Sequence, residues 1–172
     1  MNIVLIGYRG SGKTTVGKLL ADRLKMPFVD TDDLIVRRAG QNIAAIFNRH
    51  GEQKFRDLET QALNESLQQD GQILALGGGA VIREENRNAL KADPQNKIFY
   101  LHHDAATLHQ RIQADPKTSV NRPALTQLNG TIDEVQHLLA ARLPWYREVM
   151  NHEIDTADMS PEQIVEQIVS LL

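Results

Sequence analysis

The sequence contains no cysteine, few aromatic residues and no excess of basic residues. Without cysteine it can hold no disulfide, no thiolate zinc site and no cysteine nucleophile. Nineteen basic against 22 acidic residues give a formal net charge of −3, which argues against a dedicated nucleic-acid-binding protein. No apolar run approaches the ~20 residues of a membrane-spanning helix, and no leader-like segment precedes the first apolar run. We therefore expect a cytoplasmic protein with neither a nucleic-acid nor a membrane partner.

The composition and the order of apolar segments predict a single α/β domain. The chain has 172 residues, of which 41% are hydrophobic and 24% charged, a balance typical of one globular domain. Short apolar segments alternate with segments of helical periodicity. This alternation predicts a five-stranded parallel sheet with helices on both faces. The predicted strands are residues 3–6, 28–29, 73–76, 97–101 and 152–156.

Two segments interrupt the alternation of strand and helix. A long helical segment from about 31 to 69 is broken at Gly40 and Gly51, and its residues 33–69 are the expected substrate-binding region. Residues 115–126 are the expected mobile lid, because excursions on an α/β core are common places for binding sites and lids. Further along, Pro144 is expected to bend or end a helix that starts near Ile132.

The segment from Gly7 to Thr14 matches the phosphate-binding pattern G-x-x-x-x-G-K-[ST] in full. It lies between a predicted strand and a predicted helix, as this motif requires. Gly7, Gly10 and Gly12 allow the tight turns that aim backbone N–H groups at phosphate oxygens. Lys13 is expected to reach the β and γ phosphates, and the Thr14 hydroxyl is a magnesium ligand in this motif. The sequence therefore predicts use of a nucleoside triphosphate.

Two missing motifs and one acidic segment narrow the class of nucleotide-using protein. A guanine-reading Asn-Lys-x-Asp motif is absent, and the third predicted strand ends in three glycines instead of an acidic pair. The carboxylate that supports magnesium must come from elsewhere, and Asp30 and Asp32 follow the second strand, at the sheet edge where ligands bind. One can hold the magnesium shell while the other accepts a hydrogen bond or proton from an acceptor hydroxyl. The alternative is a turn that caps the next helix.

Three further features suggest a site for a small anion. Arg56 and Glu59 are spaced to pair on one helix, and Arg56 could offer its other donors to a ligand carboxylate; the alternative is a solvated ion pair. Arg142 falls on the apolar side of its helix, so either a protein carboxylate or an anionic ligand must satisfy it. Residues 77–79 are three glycines that allow a ligand to approach the backbone, or else form a loose turn.

Taken together, these segments resemble the shikimate kinase family over essentially the whole chain. Their order and combination are more specific than any one of them. The resemblance is carried by Gly7 to Thr15, Asp30-Thr31-Asp32, Gly51-Glu52 with Phe55-Arg56 and Glu59, the segment 76–81, Arg122-Pro123-x-Leu125, and Arg142-x-Pro144-x-Tyr146-Arg147.

The resemblance implies a P-loop kinase with a three-layer fold, a lid and a substrate-binding region. Such a kinase transfers the ATP γ-phosphate to the 3-hydroxyl of shikimate, in the route to chorismate, and acts with Mg²⁺, by analogy as a monomer. The implied catalytic residues are Lys13, Asp32 and Arg122, the last as the lid cation. Thr14 would bind the metal directly and Asp30 through water. The implied shikimate-binding residues are Asp32, Arg56, Gly78, Gly79 and Arg142.

The implied ATP-binding residues are Gly10, Ser11, Gly12, Lys13, Thr14, Thr15, Arg122 and Pro161. The adenine-facing cation is left open between Arg111 and Lys117, because residues 111–122 form a longer segment than this family usually has. Two other functions are alternatives to shikimate phosphorylation. One is another small-molecule kinase, acting on gluconate or a nucleotide, and the other is an inactive nucleotide-binding regulator.

Overall fold

The computed structural model describes residues 1–115 and 131–172, in which strands and helices alternate along the chain. The strands are β1 (Ile3–Ile6), β2 (Phe28–Asp30), β3 (Ile73–Ala75), β4 (Lys97–His102) and β5 (His152–Asp155). The helices are α1 (Lys13–Leu24), α2 (Thr31–Ala39), α3 (Ile43–Leu67), α4 (Glu84–Ala92), α5 (Ala105–Ala114), α6 (Ile132–Val149) and α7 (Pro161–Ser170). Among the described residues, no helix has both the length and the apolar character needed to cross a membrane.

The five strands form one parallel sheet in the order β2-β3-β1-β4-β5. Successive residues of β1 alternate between its two faces. Ile3 and Leu5 pack with residues of α1 and α7, whereas Val4 and Ile6 pack with residues of α3, α4 and α6. Both faces are therefore buried, which explains why the strands are continuous apolar runs. The predicted fold class, a five-stranded parallel sheet covered on both faces, is confirmed.

The sheet topology places a crevice at the carboxyl ends of β1 and β3. These strands are neighbours, but the helix after β1 (α1) packs on one face of the sheet while the helix after β3 (α4) packs on the other. The two loops therefore diverge, and ligands of α/β proteins bind in such a crevice. The loop after β1 holds residues 7–12, and the loop after β3 contains residues 77–79.

The two predicted glycine breaks in the segment from 31 to 69 are confirmed. Gly40 ends α2 with a left-handed backbone (φ 63°). Gly51 has φ 81° and ψ 171°, which interrupts α3 without ending it. Both values lie in the region that favours glycine. The second half of α3, after Gly51, carries Arg56 and Glu59 toward the crevice.

Pro144 does not end its helix, which excludes one of the two predicted outcomes, a bend or an end. α6 continues beyond it to Val149. Proline lacks the N–H that would bond to the carbonyl four residues earlier, but Tyr146 and Val149 beyond it are buried against the sheet. Their burial offsets the lost hydrogen bond. Apart from Asp115, the predicted lid (residues 115–126) lies outside the described residues.

Candidate functional site

Lys13 holds the phosphate-binding loop in a closed shape. Its ammonium donates to the carbonyls of Gly7 and Tyr8, both at 2.8 Å. Gly10 and Gly12 have left-handed φ values of 82° and 91°, which allow the turn into α1. The first N–H groups of a helix have no partner within it and carry the positive end of its dipole. This geometry suits phosphate, the ligand that the motif predicts.

Thr14 and Asp30 are brought together at the mouth of this loop. The Thr14 hydroxyl donates to one carboxylate oxygen of Asp30 at 2.8 Å. The other oxygen accepts the Asp32 N–H at 3.0 Å and caps α2. Asp30 therefore caps α2, which was the alternative interpretation of this segment. It also contacts Thr14, the predicted metal ligand. A hydroxyl and a carboxylate are hard oxygen ligands, and Mg²⁺ commonly takes only one or two protein ligands besides phosphate and water, so this pair fits the ion.

The three glycines after β3 lie between the phosphate loop and two carboxylates. A Cβ on Gly77 would lie 2.6 Å from an oxygen of Asp32 and 2.7 Å from an oxygen of Glu59. A Cβ on Gly78 would lie 3.1 Å from the Arg9 N atom. Glycine is required here because the backbone passes close to its neighbours. The segment does form a turn, since the Ala80 N–H donates to the Gly77 carbonyl at 3.0 Å, but the turn is tightly surrounded and not loose.

Arg56 is buried in a double ion pair. Its guanidinium donates to Glu59 and, through two of its nitrogens, to Glu52 at 3.0 and 3.2 Å. Arg56 is 7% exposed and Glu59 is 2% exposed, so the alternative of a solvated pair is wrong. Burial raises the pKa of the Glu59 carboxyl, against the opposing effect of the Arg56 charge. For Arg56, the two glutamates outweigh the effect of burial and raise the pKa of the guanidinium.

Arg142 is also buried, at 5% exposure, but has far fewer partners than Arg56. One of its nitrogens donates to the Gly78 carbonyl at 3.1 Å, and its guanidinium lies 5.3 Å from the centre of the Tyr8 ring. In the described part of the chain no carboxylate lies within ion-pair distance of it. Its charge does act on the Glu59 carboxyl, where it opposes the effect of burial on the pKa. A buried guanidinium needs a counter-charge, and an anionic ligand in that role stays a prediction.

The sequence of this chain matches one protein family along nearly its whole length. A family model described as shikimate kinase matches residues 9–172. The shikimate kinase of Pseudomonas syringae pv. syringae is 40% identical over 171 residues, which cover 99% of this chain and 95% of that relative. That of Enterococcus faecalis is 39% identical over 171 residues, with coverage of 99% and 98%. The chain belongs to the shikimate kinase family.

A solved structure of a shikimate kinase has the same fold as this chain. The structure of shikimate kinase from Acinetobacter baumannii in complex with shikimate has a TM-score of 0.90 and 37% identity, and covers 99% of this chain and 91% of that chain. A gluconokinase from Sinorhizobium meliloti has a TM-score of 0.60 and 17% identity, with coverage of 98% and 89%, and shows a likeness of fold alone. As a shikimate kinase the chain is an ATP-dependent kinase, and the alternatives of gluconate or nucleotide kinase and of an inactive regulator are not favoured.

The structure brings most of the predicted site residues of this chain to the crevice at the carboxyl ends of β1 and β3. These are Gly10, Ser11, Gly12, Lys13, Thr14, Thr15, Asp30, Asp32, Arg56, Gly78, Gly79 and Arg142. Arg111 donates to the Gly10 carbonyl at 3.3 Å, which places it beside the phosphate loop. Pro161 is the first residue of α7. Arg122 and Lys117 lie outside the described residues, and their roles stay predictions.

Two residues with direct contacts to the site were not recognised from the sequence. Tyr8 supplies the ring beside Arg142. Tyr146, which had no predicted role in the site, donates its hydroxyl to the Gly78 carbonyl at 2.7 Å. The spacing of four between Arg142 and Tyr146 was the available signal, because it places both side chains on one face of a helix.

Proposed function

We propose that this chain transfers the γ-phosphate of ATP to the 3-hydroxyl of shikimate, giving shikimate 3-phosphate on the route to chorismate. The observation that carries the proposal is the pair of buried guanidinium groups, Arg56 and Arg142, at successive glycines of one loop beside the phosphate loop. A Cβ on Gly79 would touch Arg56, and Arg142 bonds to the Gly78 carbonyl. Two cations around one short backbone segment suit a small carboxylate.

Asp32 is the residue proposed to bind the hydroxyl group of the acceptor. This carboxylate is 8% exposed and lies against Gly77, one residue from the Gly78 carbonyl that Arg142 contacts. We propose that Arg56, Arg142, Gly78 and Gly79 bind the shikimate carboxylate, and that Asp32 binds the hydroxyls. Asp32 then either orients the attacking hydroxyl or accepts its proton. Residues 33–69 form the substrate-binding region of a single kinase domain in this proposal.

The phosphate side of the reaction depends on positive charge. The loop N–H groups of residues 10–15 and the Lys13 ammonium bind the phosphates, and Pro161 borders the adenine. Mg²⁺, held by Thr14 directly and by Asp30 through water, would neutralise charge on the β and γ phosphates. Arg122 is proposed to add a further cation over the transferring group. We propose that the enzyme works as a cytoplasmic monomer.

A coupled assay of ADP release tests the proposed function. Shikimate, gluconate and nucleoside monophosphates are each offered with ATP and Mg²⁺, and we expect turnover with shikimate alone. Arg56→Ala and Arg142→Ala should each raise the KM for shikimate about 10- to 100-fold, because a hydrogen bond to a charged group contributes about 1.5–3 kcal/mol. The KM for ATP should change little.

Arg147→Ala is the matched control for Arg142→Ala. Arg147 lies on the same helix and pairs with Glu153 at 3.1 Å, with its side chain 52% exposed, so its loss should leave both KM values unchanged. Turnover with gluconate or a nucleotide, or ATP binding without turnover of any acceptor, would contradict the proposed function.

A further inference from the structure

Tyr146 is buried beneath the glycine loop and contacts it through its hydroxyl. The residue is 1% exposed. Its ring stacks on that of Tyr100 from β4, with centroids 4.8 Å apart and an angle of 15° between the planes. Burial raises the pKa of the Tyr146 phenol well above its usual value, so the hydroxyl stays a donor at neutral pH. Packing and the fixed hydroxyl together hold the Gly78 carbonyl in one direction.

The Gly78 carbonyl is shared by two donors from α6. It accepts the Tyr146 hydroxyl at 2.7 Å and a nitrogen of Arg142 at 3.1 Å. A carbonyl oxygen has two lone pairs, so one carbonyl can satisfy both donors. The Arg142 guanidinium has five N–H donors. With one of them directed to this carbonyl, the remaining donors face away from it.

The same carbonyl also sets the direction of the next N–H group. The peptide between Gly78 and Gly79 is planar and trans, so its N–H points opposite to its C=O. The carbonyl points to α6, and the Gly79 N–H therefore points to the other side of the loop. Within residues 1–115 and 131–172 neither Gly78 nor Gly79 donates its backbone N–H to a protein acceptor.

We propose that Tyr146 is a positioning residue for the carboxylate of the acceptor. By holding the Gly78 carbonyl, its hydroxyl orients the Arg142 guanidinium and the Gly79 N–H that bind this carboxylate. The inference rests on the proposed function, since it concerns the same binding site. Tyr146 does not itself touch the substrate in this proposal.

The test compares Tyr146→Phe with Tyr100→Phe. Both substitutions keep the stacked rings and delete one buried hydroxyl, but the Tyr100 hydroxyl has no hydrogen-bond partner among the described residues. Tyr146→Phe should raise the KM for shikimate about tenfold, which corresponds to about 1.4 kcal/mol, with kcat and the KM for ATP little changed. Tyr100→Phe should leave all three values as they are.

A second substrate separates positioning from a general loss of packing. Shikimate methyl ester lacks the charged carboxylate, so the preference for shikimate over the ester should fall in Tyr146→Phe and not in Tyr100→Phe. An unchanged KM for shikimate in Tyr146→Phe, or equal rises for shikimate and ATP, would overturn the positioning role alone. No turnover of shikimate by the unmodified chain would overturn the proposed function as well.

Amide hydrogen exchange of the unmodified protein gives a measurement that needs no variant. Gly79 is buried, and its N–H should gain protection when shikimate binds. A Gly79 amide whose protection stays the same when shikimate binds would overturn the proposal.

Discussion

Two glycine-rich loops follow neighbouring strands of the sheet, and they require glycine for different reasons. In the loop after β1, Gly10 and Gly12 have left-handed backbones, and a Cβ on Gly12 would have only Val16 near it, at 4.0 Å. In the loop after β3, residues 77–79 have no such φ values, but a Cβ on any of them would meet close neighbours. The first loop needs the conformational freedom of glycine. At Gly7 and Gly10 it also needs the small size, since their Cβ atoms would lie 2.7 and 3.3 Å from the carbonyls of Leu101 and Leu108. The second loop needs the small size alone.

In the proposed function, the difference follows from what each loop binds. The phosphate loop wraps its own backbone around a ligand, so its turns decide the fit, and Lys13 holds these turns through two carbonyls. The loop at residues 77–79 instead lies among side chains from distant segments, which are Asp32, Arg56 and Arg142. Its backbone is a spacer that sets how close these charged groups come to an acceptor.

Of the substitutions that test the difference between the two loops, Gly79→Ala should have the largest effect on stability. The new methyl group would overlap the Arg56 guanidinium, which Glu59 and Glu52 hold in place. Overpacking of this kind costs about 1–3 kcal/mol of stability, and displacement of Arg56 should raise the KM for shikimate at least about tenfold. Thermal unfolding and kinetics with each substrate measure the two effects.

The Arg56→Lys background shows whether size is the cause. Lysine lacks the nitrogen that the methyl group would overlap, so Gly79→Ala should cost clearly less stability there than in the unmodified chain. Contacting residues commonly couple by 0.5–3 kcal/mol. An equal cost in both backgrounds would show that the backbone, and not Arg56, requires glycine at this position.

Gly12→Ala should have a smaller effect on stability and should affect the other substrate. The residue has φ 91° and ψ 4° at the start of α1, where a side chain costs about 1–2 kcal/mol. The KM for ATP should rise while that for shikimate changes little. Val16→Ala removes the one side chain near the new methyl group, and the cost of Gly12→Ala should be the same in that background; relief there would point to crowding instead of strain.

The phosphate loop could be predicted from sequence because its parts are contiguous. One strand, one turn and one helix place residues 7–14, so their spacing along the chain determines their arrangement in space. The parallel sheet could be predicted for a similar reason, since burial on both faces produces continuous apolar runs such as Ile3–Ile6. In both cases the residues that form the feature are neighbours in the sequence, so their pattern shows their geometry.

The acceptor site could be predicted only in part, because it is built from four separate segments. Helical periodicity correctly placed Arg142 inside, but no spacing shows that both Arg56 and Arg142 meet the same glycine loop. The hydroxyl of Tyr146 was missed for this reason: its partner, the Gly78 carbonyl, is 68 residues away. The choice between a bend and an end at Pro144 could not be made from sequence, because tertiary burial beyond the proline outweighs its local cost.

The smallest expected effect concerns the helix that supports the phosphate loop from outside. α5 contacts this loop, since a Cβ on Gly10 would lie 3.3 Å from the Leu108 carbonyl. Asp104 caps α5 by accepting the Thr107 N–H at 2.8 Å. Asp104→Ala should cost about 1 kcal/mol of stability and should raise the KM for ATP slightly, with that for shikimate unchanged. Asp158→Ala, at another exposed aspartate, is the control.

The pH dependence of stability identifies the cap as the cause. The hydrogen bond from the Thr107 N–H lowers the pKa of Asp104 to about 2 from its ordinary 3.8. A lowered pKa in the folded state stabilises the fold above pH 3.8, and this contribution is lost as the pH falls toward 2. Asp104→Asn keeps an acceptor at the cap but not the charge, so at pH 7 it should be less stable than the unmodified chain. This difference should vanish as the pH falls from 4 to 2, because the protonated Asp104 carries no charge either. Equal acid sensitivity of both chains in thermal unfolding would show that Asp104 does not stabilise α5 through its charge.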